Sequence, residues 1–267
     1  MNRRLYGYDN FSIDKMCKEF GIINWSVNSD GTVDVDDSVV ISNKPYLTNL
    51  PLKFGKVRGY FTCYNTGITS LEGSPMEVEG SFNFTNCNII NLIGSPKKVG
   101  GNFKVQENML TSLEGGPKEV GGNYYCQENN LTSLEGCPEM VGGSFLCHIN
   151  SINTLKWMPK KIDGEFDCRY NKLTSLEGCT SDVGVLNFGS NKIKNFKGFP
   201  EFYENDFSFD QNPTQVILNM FPGKYWLRAI YFINEYDALD EDGNIIEERL
   251  DEVYHTLGLK YKHYGKE

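Results

Sequence analysis

A glycine recurs every 21 residues through the middle of the chain, at Gly59, Gly80, Gly101, Gly122, Gly143 and Gly164. It returns at Gly184 after one deletion, and a degenerate last copy opens at Asn205. A fixed period of this size is the mark of stacked, equivalent coils. Each copy follows Gly-x-Phe-x-Cys-x-x-Asn-x-Leu-Thr-Ser-Leu-Glu-Gly-x-Pro-x-x-Val. The Phe-x-Cys alternation predicts a short strand with one buried face. Its first buried column is Phe61, Phe82, Phe103, Tyr124, Phe145, Phe166, Leu186 and Phe207; its second is Cys63, Phe84, Val105, Cys126, Cys147, Cys168, Phe188 and Phe209. One coil cannot bury its own apolar face, so the coils must stack. About eight parallel strands at roughly 4.8 Å give a sheet about 35–40 Å long.

An asparagine closes each strand, at Asn108, Asn129, Asn150, Asn171, Asn191 and Asn212, while Thr66 and Cys87 interrupt the column in the first two coils. An amide side chain both donates and accepts, so a stack of them suits the bent backbone leaving a sheet. Apolar pairs such as Leu110 with Leu113 and Leu131 with Leu134 follow, and Gly115, Pro117, Gly136 and Pro138 predict an irregular, non-helical return path. The Glu72, Glu114, Glu135 and Glu177 column reads as a solvated ridge, because stacked like charges favour exposure.

The core Phe-x-Cys-x-x-Asn-x-Leu is the leucine-rich-repeat pattern with Phe and Cys at two leucine positions. Segments such as Leu131-Thr-Ser-Leu-Glu-Gly-Cys-Pro-Glu-Met-Val-Gly-Gly, with the lead-in Leu52-Lys-Phe-Gly-Lys-Val, resemble the leucine-rich-repeat proteins of large tailed bacteriophages. That resemblance covers most of the chain. It implies a viral protein that meets a host or anti-phage defence protein in the host cytoplasm and inhibits or diverts it. Similar repeats occur in secreted bacterial effectors with a cysteine-dependent ubiquitin-ligase domain. Here only about 55 residues follow the last strand and none is cysteine, which argues against that architecture.

The expected fold is an α+β repeat protein, a leucine-rich-repeat solenoid with a parallel sheet over residues 39–212. Residues 1–38 are expected to form an N-terminal cap, with a helix over Ser12–Phe20 that Ser12 caps and Gly21 stops, then a hairpin turning at Asp30-Gly31. Residues 213–267 are expected to form a helical C-terminal cap and a basic-aromatic tail. Its helices start at Pro213, run over Lys224–Asp237, and run over Ile245–Leu257 with Gly258 as the stop.

A net charge of −9 argues against general nucleic-acid binding, and no apolar run reaches the length of a membrane span. The N-terminus lacks the layout of a signal peptide, so a cytoplasmic chain is expected. Most of the eight cysteines fall in repeat columns, which reads as small buried hydrophobes in a reduced protein, with neither a metal site nor designed disulfides. The acidic run at Asp240 resembles a calcium loop, but its frame puts Ala238 and Arg249 at the two main ligand positions. The frame around Gly31 starts at Ser26 between strands, so a hairpin is preferred. His148, His255 and His263 have no catalytic partner at a recognised spacing, and no cofactor or enzymatic activity is expected.

The functional expectation is a protein–protein interaction module working through the outward residues of the strands, the concave sheet face. The candidate contacts are Tyr60, Tyr64, Lys104, Gln106, Tyr125, Gln127, Leu146, His148, Asp167 and Arg169, because tyrosine and arginine anchor interfaces. A second candidate is Trp157, which replaces a turn glycine among Lys156, Lys160 and Lys161; it either grips an acidic partner or nucleotide, or packs inward. Two other functional classes stand beside this one: a virion structural or assembly component, and a small-ligand or nucleotide binder.

Overall fold

The computed structural model describes residues 10–201, 203 and 205–261. Residues 1–9 of the expected N-terminal cap and the part of the basic-aromatic tail after Tyr261 lie outside the described residues. In chain order the elements are α1 (Asn10–Glu19), β1 (Trp25–Val27), β2 (Val33–Val35), β3 (Val39–Val40), β4 (Phe54–Val57), β5 (Phe61–Thr62), β6 (Glu77–Val78), β7 (Phe82–Asn83), β8 (Lys98–Val99) and β9 (Phe103–Lys104). They continue with β10 (Glu119–Val120), β11 (Tyr124–Tyr125), β12 (Met140–Val141), β13 (Phe145–Leu146), β14 (Lys161–Asp167), β15 (Asp182–Asn187), β16 (Asp206–Ser208), α2 (Pro213–Leu218), α3 (Trp226–Glu235) and α4 (Glu247–Thr256).

The chain winds as a parallel β-solenoid of about eight turns. Each coil contributes two short strands meeting at a glycine corner. One ladder carries the phenylalanines, β3-β5-β7-β9-β11-β13, and the other carries the valines, β2-β4-β6-β8-β10-β12; β14 and β15 are long enough to run through both. Partners sit one period apart in register, as in Phe82 with Phe103 and Val78 with Val99. The return path is therefore not wholly irregular, because a second strand closes each coil at its valine. Two residues are too few for alternation to show, and their pairing partner lies a whole coil away.

The corner demands glycine for a steric reason. A Cβ on Gly121 would sit 2.3 Å from the Gly100 carbonyl oxygen, and one on Gly142 would sit 2.4 Å from that of Gly121. Inside the coil the first aromatic column stacks face to face or tilted, with centroids 5.8 Å apart for Phe61 and Phe82, 5.4 Å for Phe82 and Phe103, and 4.9 Å for Tyr124 and Phe145. Tyr124 is the odd member. Its hydroxyl is buried without a partner, beside the small Gly116 of the preceding coil.

The asparagine column stitches coils together. Asn150 donates to the carbonyls of Cys126, Cys147 and His148 and accepts from the Leu131 N–H. Where Cys87 replaces asparagine, its thiol donates to the Cys63 carbonyl, the bond that Asn108 makes to Phe84 one coil later. The outward face of the valine ladder alternates in charge: Lys56, Glu77, Lys98, Glu119, then Met140, Lys161 and Asp182. Lys56 pairs with Glu79 at 2.8 Å and Lys98 with Glu119 at 2.8 Å; Met140 breaks the series and stands 62% exposed.

The hairpin β1–β2 forms as expected, and its second strand pairs in parallel with β4, so the valine ladder begins at Val33. α1 starts two residues before the expected Ser12 and buries Ile13 and Cys17 in the same continuous core. At the other end Pro213 opens α2 as expected, while Asn212 spends its side chain on Ile193, Phe188 and Phe209 instead of capping the helix. α3 is tied to the coils by Asn234 donating to the Phe196 carbonyl at 2.9 Å, and Tyr254 of α4 donates to the Met220 carbonyl at 2.7 Å. Among the described residues, no helix is long and apolar enough to cross a membrane.

Candidate functional site

On the phenylalanine ladder, period-2 geometry turns the residues between the buried ones outward. Tyr60 and Tyr64 are exposed at the first coils, and Asn43 donates to the Tyr64 hydroxyl at 3.2 Å. Lys104, Tyr125, Leu146 and His148 are half-buried along the middle of the face. Tyr125 is braced twice: Asn123 donates to its hydroxyl at 2.8 Å, and the Lys104 ammonium lies 5.4 Å from its ring centroid. Gln106 and Gln127 are half-buried in the neighbouring column, with side-chain oxygens turned inward where nothing donates to them.

Asp167 departs from the expectation of an outward contact. It is 2% exposed, because Arg169 folds over it with two parallel bonds, Nε to Oδ1 at 3.0 Å and a terminal nitrogen to Oδ2 at 2.8 Å. The carboxylate holds the guanidinium further into its charged form. Arg169 itself stays exposed as a fixed, planar cover over a buried charge. Trp157 stands apart on the return path and packs partly against the core, with the Lys156 ammonium 4.7 Å from its ring centroid and Cys137 donating to its carbonyl. Its basic setting is partly neutralised, since Lys160 pairs with Glu139 and Lys161 with Asp163.

One further column belongs to this face. The residue after the third outward position is left-handed in every coil: Asn43, Asn65, Asn86, Glu107, Glu128, Ile149, Tyr170, Ser190 and Gln211, with φ between 53° and 60°. Neighbours in the row touch, Asn65 donating to Asn43 at 2.9 Å and Ser190 to Gln211 at 2.8 Å. Asparagine tolerates this backbone; a β-branched isoleucine and a tyrosine do not do so cheaply. Ile149 and Tyr170 are also 48% and 54% exposed. The sequence signal was present, two apolar residues in an otherwise polar repeat position, but the strand pattern ends one residue short of it.

The thiols are poorly set up for chemistry. Burial pushes those of Cys137 and Cys179 up to about 12 and raises those of Cys63, Cys126 and Cys147, so all stay protonated. The two acidic loops are occupied by their own protein donors. Asp240 accepts from the Asp242 and Asn244 N–H groups and the Asn244 amide, and Asp30 accepts from Thr32 while Asn28 donates to Asp34. No family model, no curated protein and no solved structure matches this chain.

Proposed function

We propose that the chain is a non-enzymatic, leucine-rich-repeat binding protein, closed at its ends by α1 and by α2–α4, that captures a partner protein on the outward face of its phenylalanine ladder. The observation that carries this reading is the bracing of that face. Tyr125 is held by Asn123 and Lys104, and Arg169 is held by Asp167, so large interface-type side chains are presented with little freedom left to lose on binding. By its resemblance to the phage proteins, the partner is a host or defence protein met in the host cytoplasm and blocked sterically.

The test is affinity capture from bacterial lysate with the wild type and with Tyr125→Ala combined with Leu146→Ala. Arg169 is left intact, because truncating it would strand the buried Asp167 carboxylate. One stoichiometric protein, lost with the double variant, supports the reading. Capture that survives the double variant moves the site off this face.

A further inference from the structure

We infer that Glu107, Glu128, Ile149 and Tyr170 form a linear docking strip for an extended partner segment in which basic residues lead into apolar ones. This rests on the proposed use of the phenylalanine-ladder face and specifies the chemistry of its occupant.

The four residues occupy the same position in four successive coils, so they lie in a row along the solenoid. Three steps of about 4.8 Å make a strip of roughly 15 Å, the reach of about four or five extended residues. Charge and polarity divide it in two. Glu107 and Glu128 are exposed, and neither has an ion-pair partner among the described residues. Beside them Gln106 and Gln127 hold unpaired oxygens that a rotation of each amide would bring outward. This half offers acceptors and needs donors. The other half offers an exposed isoleucine and an exposed tyrosine next to Leu146 and His148.

The backbone supplies an independent reason. Three coils place asparagine at this φ, which fits it; Ile149 and Tyr170 occupy the same φ at a steric cost and leave about half of their surface exposed. Strain retained at an exposed apolar pair is what a contact residue leaves behind in the free protein.

The experiment titrates two sets of short synthetic peptides by fluorescence polarisation: Lys/Arg pairs followed by apolar pairs, and the same peptides with Glu in place of Lys/Arg. The full-length wild type is expected to bind the basic set at least about tenfold tighter. Glu107→Gln with Glu128→Gln should erase that preference. Ile149→Asn should weaken binding while raising the melting temperature, a combination that a purely structural residue would not give. Preference for the acidic set, no binding of either set at millimolar concentration, or selectivity untouched by these variants overturns the strip. If lysate capture still depends on Tyr125 and Leu146, the strip alone falls; if that dependence is also missing, the parent reading falls with it.

Discussion

Single residues mark where this stack departs from its own rule, and each departure has a measurable cost. Ile149 sits at φ 55° in a column that asparagine fills at φ 54–55° in three other coils. Ile149→Gly should therefore raise the unfolding free energy by about 1 kcal/mol in urea titrations, with an unchanged slope. Tyr124 places a hydroxyl without a partner inside a column otherwise dominated by phenylalanine. Tyr124→Phe is expected to stabilise by about 1 kcal/mol, the lower end of the cost of an unsatisfied buried group. Asn150→Ala removes four hydrogen bonds, two within its own coil and two to the preceding one, and should destabilise by about 2–4 kcal/mol. The thiols set an alkaline limit. Folding raises Cys137 and Cys179 from 9.0 to about 12, so above pH 9 the unfolded chain loses protons that the folded one keeps. The contribution of these thiols should accordingly be constant below pH 9 and fall between 9 and 12, by up to about 1.4 kcal/mol per pH unit for each thiol.

At the scale of the element, the glycine corner decides whether two coils can approach. Gly121→Ala puts a methyl against the Gly100 carbonyl and should cost more than about 2 kcal/mol, read as a drop in the urea midpoint. The phenylalanine strands and the asparagine column were legible because a residue repeated at a fixed interval announces a stacked position even when each strand is two residues long. The valine strands were not, since the valine recurs with the same period but stands alone before the glycine corner, with no alternation to mark a strand, and its partner is a coil away. The C-terminal helices were readable from Pro213 and from apolar spacing, and the true ends fall within two residues of the expected ones. On the candidate face, which side chains point outward followed from alternation. That Arg169 would lie over Asp167 did not, because the choice between solvent and a neighbour two residues away is made by rotamers. The left-handed column was hidden for a related reason: the sequence shows mostly polarity there, and φ stays near 55° whether Lys44, Thr66, Cys87 or an asparagine follows.

For the whole molecule, the period implies that a coil is a removable part. Deleting residues 122–142 joins Gly121 to Gly143, preserves both ladders, and brings Glu119 beside Lys161. Deleting residues 80–100 is geometrically equivalent but sets Glu77 beside Glu119. Both variants should fold with a smaller urea slope, because less surface is exposed on unfolding, and the first should be the more stable of the two. The alternating charges on the valine ladder have one further consequence. Backbone bonds between coils are nearly identical everywhere, so they cannot tell a coil's neighbour from the coil after it. If a coil looped out during folding, Lys56 would land on Lys98 and Glu77 on Glu119. Over Lys56 to Glu119 the row of opposite signs thus works as a parity check against a stack that has skipped one layer, whereas a skip of the Met140 coil would bring Glu119 to Lys161 and meet no repulsion.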